Sequence, residues 1–244
     1  MTISAAVRGT PLNDGVDNTV FTMVDAGTPT ASRLLLAFVT SRSAGDSLAA
    51  DTFTGYGLTW TSLGGHDRDS GNVHMEVYGA LTGGSPTSVD PVATWSLTRS
   101  GCHIHIVEIT LTNYGATPAD CVADQGGGVR LAKSSVTGTA TSISFTLVSA
   151  SNSANRPIAH ASHGGAVEVT DPATNWTELT DGSMTSPINN VETQWRSDVF
   201  DTAVSASWVT AANRFGVALE LIDTQPVGGS SGTDPFGMTG FFGS

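Results

Sequence analysis

Alternation with a period of two residues recurs along this chain, and it limits the possible folds more than any other feature. Val73, Met75 and Val77 fall on one side of their segment, and His74, Glu76 and Tyr78 on the other. Ile143, Phe145 and Leu147 alternate with Ser142, Ser144 and Thr146 in the same way. Val204, Ala206 and Trp208 share a side, as do Phe215, Val217, Leu219 and Leu221. Successive side chains of a strand point to opposite faces, so each segment offers an apolar face to a second sheet and a hydroxyl-rich face to water. Residues 34–39, Leu-Leu-Leu-Ala-Phe-Val, are apolar on both faces and belong at the centre of a sheet covered on both sides. Segments around Trp60, Trp95 and Trp195 bring the expected total to roughly twelve to fourteen strands, a number suited to sandwiches and rolls. No segment has the spacing of an amphipathic helix. The pattern predicts an all-β protein, a jelly-roll-like antiparallel β-sandwich with a flexible C-terminal arm.

A chain of 244 residues, 39% of them apolar, can fill one substantial core, so residues 1–223 read as one sandwich domain. Turn-rich stretches at 10–18, 112–127 and 181–190 read as loops, where recognition is often carried. After Ile222 the character changes. A Gly/Ser linker at 228–232 precedes Phe236, Met238, Phe241 and Phe242. Four large apolar side chains beyond a flexible linker need a surface to cover them, so 224–244 reads as an arm that docks on a neighbouring subunit, the alternative being a tail that folds back on its own sandwich. The expected partners are further copies of the chain, with a trimer as one arrangement.

The net charge is −12, and Lys133 is the single lysine. Phosphate backbones and anionic bilayers are bound by clustered cations, so neither nucleic acid nor a membrane surface is an expected partner. No run approaches the ~18 apolar residues of a membrane span. The first residues hold no apolar signal-peptide core, which predicts synthesis in the cytoplasm. Two cysteines, Cys102 and Cys121, make no disulfide framework and read as free thiols.

Residues 100–110, Ser-Gly-Cys-His-Ile-His-Ile-Val-Glu-Ile-Thr, carry the best chemical candidate. On a strand His103 and His105 point the same way, a known means of offering two imidazoles to a metal ion, while Cys102 and Glu108 point the other way. A third ligand would have to come from His74, His160 or His163. Asp67 and Asp69, with Asn72, are spaced as in loops that hold calcium, and Asn13, Asp14 and Asp17 form a similar group; ordinary turn chemistry explains both. Trp176 and Tyr114, among Asn and Asp residues, are candidates for contact with a glycan. Strand decoration or subunit contact is the reading of the histidines, and no metal, cofactor or catalytic residue is assigned.

The order of segments from Leu34–Val39 through the Trp60, Trp95 and His103–His105 strands carries a resemblance. So does the closing run of a Trp195 strand, a Trp208 strand and Asn-Arg-Phe leading to Glu-Leu-Ile. Over about residues 30–222 the chain resembles β-sandwich structural proteins of tailed bacteriophages, found as head decorations, fibres or tail-associated subunits. The resemblance implies a place in the virion, self-assembly, contact with other virion proteins and no catalysis. Two other functions fit the same residues. One is a carbohydrate-binding adhesin module; the other is a metal-dependent β-sandwich enzyme using His103 and His105.

Overall fold

The computed structural model describes residues 3–43, 49–68, 72–136, 138, 140–148, 154–165, 175–209 and 211–223. They form fifteen strands and one short 3-10 helix, Pro118–Cys121. The first eight strands are β1 (Ser4–Asp14), β2 (Asn18–Thr22), β3 (Leu34–Arg42), β4 (Thr52–Thr54), β5 (Thr61–Asp67), β6 (Val73–Leu81), β7 (Val92–Arg99) and β8 (Gly101–Thr110). The others are β9 (Ala132–Val136), β10 (Ser142–Thr146), β11 (Arg156–His163), β12 (Thr177–Thr185), β13 (Ile188–Trp195), β14 (Ala203–Ser207) and β15 (Arg214–Leu221). The molecule is an all-β sandwich of antiparallel sheets.

The strand order contains a repeat. One five-stranded sheet runs β1-β8-β3-β6-β5 and is faced by a three-stranded sheet, β2-β7-β4. First pairs with eighth, second with seventh and third with sixth, which is the winding of a jelly roll; β5 leaves its usual place beside β4 and joins β6. The second five-stranded sheet, read from its far edge, runs β9-β15-β11-β13-β12, and β10 pairs with β14. This is the same winding over again, with β9 in the place of β1 and β15 in the place of β8. A counterpart of β4 would fall between β11 and β12, where residues 166–174 lie outside the described residues.

The four sheets therefore stack in the order three, five, five, two strands, and each interface has its own core. Phe21, Phe53, Ala93 and Trp95 pack on Leu35, Ala37, Val39, Ile104 and Ile106 in the first roll. Ile143, Phe145, Val204 and Trp208 pack on Ala159, Ala161 and Ala218 in the second. Between the two large sheets lies the largest core, where Leu34, Leu36, Phe38, Met75, Val107 and Ile109 meet Ile158, Trp195, Phe215, Val217, Leu219 and Leu221. Alternation decides this division: odd and even positions of β3 feed different cores, which is why Leu34–Val39 has no polar residue. The two large sheets run in opposite strand order, so β3 lies over β11 and edge strand β1 lies against edge strand β12. The two rolls are thus related by an approximate twofold, as subunits of an isologous dimer are.

Two expected loops are strands instead. Residues 10–14 belong to β1, which continues past an irregularity between Arg8 and Leu12 and pairs Asn13 with His103 and Asp14 with Cys102. Residues 181–190 are mostly the hairpin of β12 and β13, turning at the cis peptide Ser186–Pro187. Ser186 and Pro187 make a tight turn, while Gly182 lies within β12 and Asn189 and Asn190 lie within β13. The stretch 112–127 is non-strand apart from its 3-10 turn, as expected. The arm residues Phe236, Met238, Phe241 and Phe242 lie outside the described residues, as does Asp69.

Because Leu36 is fully buried between the two large sheets, Leu36→Ala is expected to lower stability by about 2–5 kcal/mol. A two-state urea titration measures it, and a loss below that range would mean that the two sheets do not share one core.

Candidate functional site

The apolar packing between the two large sheets gives way at one corner to polar groups. His103 and His105 come from β8, Thr40 from β3, His160 from β11, and Asn189 and Thr193 from β13. All six are buried. The His160 ring stacks on Phe38 at 5.0 Å between centroids. It meets the His105 ring edge-on at 5.2 Å, and His105 meets His103 edge-on at 6.2 Å. The third histidine is therefore His160. His74 and His163 lie elsewhere, His163 stacking on Trp208 in the second roll.

Hydrogen bonds hold the three rings in place. His103 Nδ1 lies 2.6 Å from Asn13 Oδ1 of β1. Thr193 Oγ1 sits 3.0 Å from His105 Nδ1 and 2.7 Å from His160 Nδ1. One hydroxyl has one proton, so it donates to one ring and accepts from the other. His160 Nε2 reaches Thr40 Oγ1 at 3.2 Å. His103 Nε2, His105 Nε2 and Asn189 Nδ2 are buried without a hydrogen-bond partner.

Burial acts strongly on these rings. It presses His103 down to about 3, against a smaller opposing pull from the main chain of Asn189. Burial and then the His103 charge bring His160 to about 3. His105 falls well below the ordinary range for the same reason, with repulsion from His160 and His103 added. All three are neutral imidazoles at neutral pH. Among the described residues, no group of three or more His, Cys, Asp or Glu is placed to hold a metal ion. Cys102 faces the first roll's own core, as strand parity requires, and both cysteines are free and buried.

The polar corner approaches the surface beside Asn13. There Asn13, Gly15, Val16 and residues 183–186 line a cleft of about 310 Å³. Glycines let the strands close on each other at this edge. A Cβ on Gly182 would lie 2.0 Å from Asn13 Oδ1, and one on Gly101 would lie 2.8 Å from Met184 Sδ.

A second titratable cluster lies on the other face of the first large sheet. His74 Nδ1 is 2.7 Å from Asp67 Oδ1, and His74 Nε2 is 2.9 Å from Glu76 Oε2. Glu76 Oε1 in turn accepts from Ser62 Oγ. Both imidazole nitrogens are engaged, and Asp67 serves here as a partner of His74. Burial would lower His74, but hydrogen bonds to Glu76 and Asp67, and their charges, outweigh it and hold the ring above its usual range.

The glycan candidates are placed differently from expectation. Trp176 is 7% exposed and packs in the second roll's core, so its ring is no open platform for a sugar. Tyr114 packs against the central core, and its hydroxyl accepts from the Leu111 amide at 2.8 Å. Asp14 Oδ1 accepts from Val16 N, an ordinary turn contact. Sequence reasoning passed over Thr40, Thr193 and Asn189. The available signal was polar residues at positions whose strand neighbours on the same face are apolar. Comparison with family models, curated proteins and solved structures gives no match for this chain.

The His74 cluster predicts a pH dependence with a definite sign. A raised pKa means that the folded state holds its proton more tightly, so the contribution is complete below about 6.5 and is lost as pH rises through the raised value. His74→Gln is expected to lose about 1.5–3 kcal/mol near pH 6, as for hydrogen bonds to charged groups, and distinctly less near pH 9. Urea midpoints of both proteins across that range measure it.

Proposed function

We propose that the chain is a structural subunit of a tailed-phage virion, a capsid decoration or a tail or fibre component, that works by self-assembly and docking. The observation that carries this reading is the way the end of the sandwich is fastened. Ile222 N donates to Cys121 O, and the Asp223 carboxylate accepts from the amides of Thr112 and Asn113 at 3.2 and 2.7 Å. The twenty-one residues that follow, 224–244, thus start from a fixed point on a layered body. Extended, a segment of that length reaches on the order of 70 Å, ample to contact a neighbouring subunit. Its four large apolar residues, Phe236, Met238, Phe241 and Phe242, are what such a contact would bury. The acidic charge keeps a particle subunit from binding nucleic acid non-specifically. The alternatives draw less support, since Trp176 is enclosed and the three converging histidines offer no metal set among the described residues.

Deletion of residues 224–244 tests the reading. The truncated chain is expected to keep its near-UV circular dichroism and its Tm within a few degrees, and to lose self-association in sedimentation velocity. A truncated chain that is unfolded, or that associates as the full chain does, would rule out the arm as the assembly device. Trp176→Ala is expected to cost about 3–5 kcal/mol in stability, as for loss of a buried large ring. A full-length chain whose glycan binding fell on that change while its stability held would favour the adhesin function instead.

A further inference from the structure

We propose that the polar corner between the two rolls is an acid-operated latch: on acidification it opens at the β1–β12 edge, while the apolar part of the same interface holds as a hinge. This rests on the seam itself and not on a place in a virion.

The geometry supplies three requirements of such a device. The first is a group of bases that must stay neutral while the seam is closed. His103, His105 and His160 are each fully buried, and a proton added to any of them has poor compensation. Facing them are Thr40 and, at the end of its strand, Arg42 from β3, Asn13 from β1, Ser162 from β11, and Asn189 and Thr193 from β13. Gly182 and Met184 come from β12, while β6 and β15 bring Met75, Val77, Phe215 and Val217. Among the described residues, no carboxylate hydrogen-bonds to any of the three rings. Glu192 and Gln194 alternate to the other face of β13, where Gln194 Nε2 donates to Ser205 O. Two cations lie at this end of the strands: Arg42 donates to Ile188 O, and Arg68, buried and close enough to Arg42 to feel its charge, sits beside Gly164 at the end of β11.

The second requirement is a weak side. The corner reaches the cleft at Asn13, which both bonds His103 and lines the cleft, with Met184 of β12 beside it. The third is a part that stays together. Leu34, Leu36, Val107 and Ile109 on one sheet and Ile158, Leu219 and Leu221 on the other form that part, and each roll has its own core behind it.

The sign follows from linkage. In the closed seam the rings titrate far below their ordinary value, and in an open, hydrated seam they titrate near about 6.5. The closed form is therefore favoured fully above about 6.5 and loses that advantage as pH falls. Each ring raises the open-to-closed ratio by up to about tenfold per pH unit, and three together by up to about a thousandfold.

Ring carbon NMR signals of the six histidines in the full-length chain, followed from about pH 7.5 to about 4, test this, with hydrogen exchange read in parallel. His103, His105 and His160 are expected to titrate together in one steep transition, with exchange rising in β1, β12 and β13 and not in β2, β7, β10 or β14. His105→Asn is expected to lower the midpoint and the steepness of that transition. Gly182→Val, which wedges Asn13 away from His103, is expected to raise the midpoint. Three shallow independent titrations, rings that stay neutral throughout, or exchange that rises in all strands at once would each overturn the proposal. If His105→Asn does not fold, the wild-type titration and Gly182→Val still decide it.

Discussion

Burial of the two large sheets on both faces is the constraint on which the rest depends. A sheet covered on one side needs alternation, whereas a sheet covered on both needs strands that are apolar, small or self-satisfied throughout. β3 and β15 are buried along nearly their whole length, and so are β6, β8 and β13. The outer sheets are thin, and their outward faces carry Ser and Thr, as in Ser142, Ser144 and Thr146 of β10. Water is thus met by the three- and two-stranded sheets and by the edge strands β1, β5, β9 and β12 of the large ones. The structure is two jelly rolls that complete each other, since each large sheet would present an apolar face without its partner.

Two-sided burial also explains the histidines. A polar side chain on the inner face of a large sheet cannot turn to solvent, so it must find a partner on the facing sheet or remain unpaired. His160 finds Thr40 and Thr193; His103 and His105 each satisfy one nitrogen only. The cost is confined to one corner because the polar residues of β8 lie at its start, and Val107 and Ile109 return the strand to the apolar core. His74 shows the contrasting solution. Its two carboxylate neighbours make the charged ring the favoured form, so histidines on opposite faces of one sheet respond to acid with opposite signs.

Alternation in the sequence foretold the strands, the all-β class and the double coverage of Leu34–Val39. It also placed His103 and His105 on one face, with Cys102 on the other. The repeat was not legible, because equivalent strands share a place and not a composition. β3 reads Leu-Leu-Leu-Ala-Phe-Val-Thr-Ser-Arg, and its counterpart β11 reads Arg-Pro-Ile-Ala-His-Ala-Ser-His. Only the pairing order reveals the second roll, and pairing is a long-range property. Trp176 misled for a related reason. Asn and Thr beside it suggest a loop, but the ring's environment is set by β10 and β14, distant in sequence. The convergence of His160 with the His103–His105 pair was equally hidden, since it depends on β3 lying over β11.

The twofold arrangement sharpens the meaning of the polar corner. Positions equivalent to His105 and His103 on β8 are Val217 and Phe215 on β15, since each neighbours the same place on the central strand of its roll, Phe38 and Thr40 in one and His160 and Ser162 in the other. A symmetric seam would carry both corners polar or both apolar. Here one corner keeps Phe215 and Val217 against Met75 and Val77, and the other exchanges them for imidazoles. The asymmetry gathers three buried imidazoles at one side of a shared core, while the other side carries the single imidazole of His66 beside Phe215. A chain selected for stability alone has no use for that difference, because an aliphatic pair at 103 and 105 would seal the seam without unpaired nitrogens.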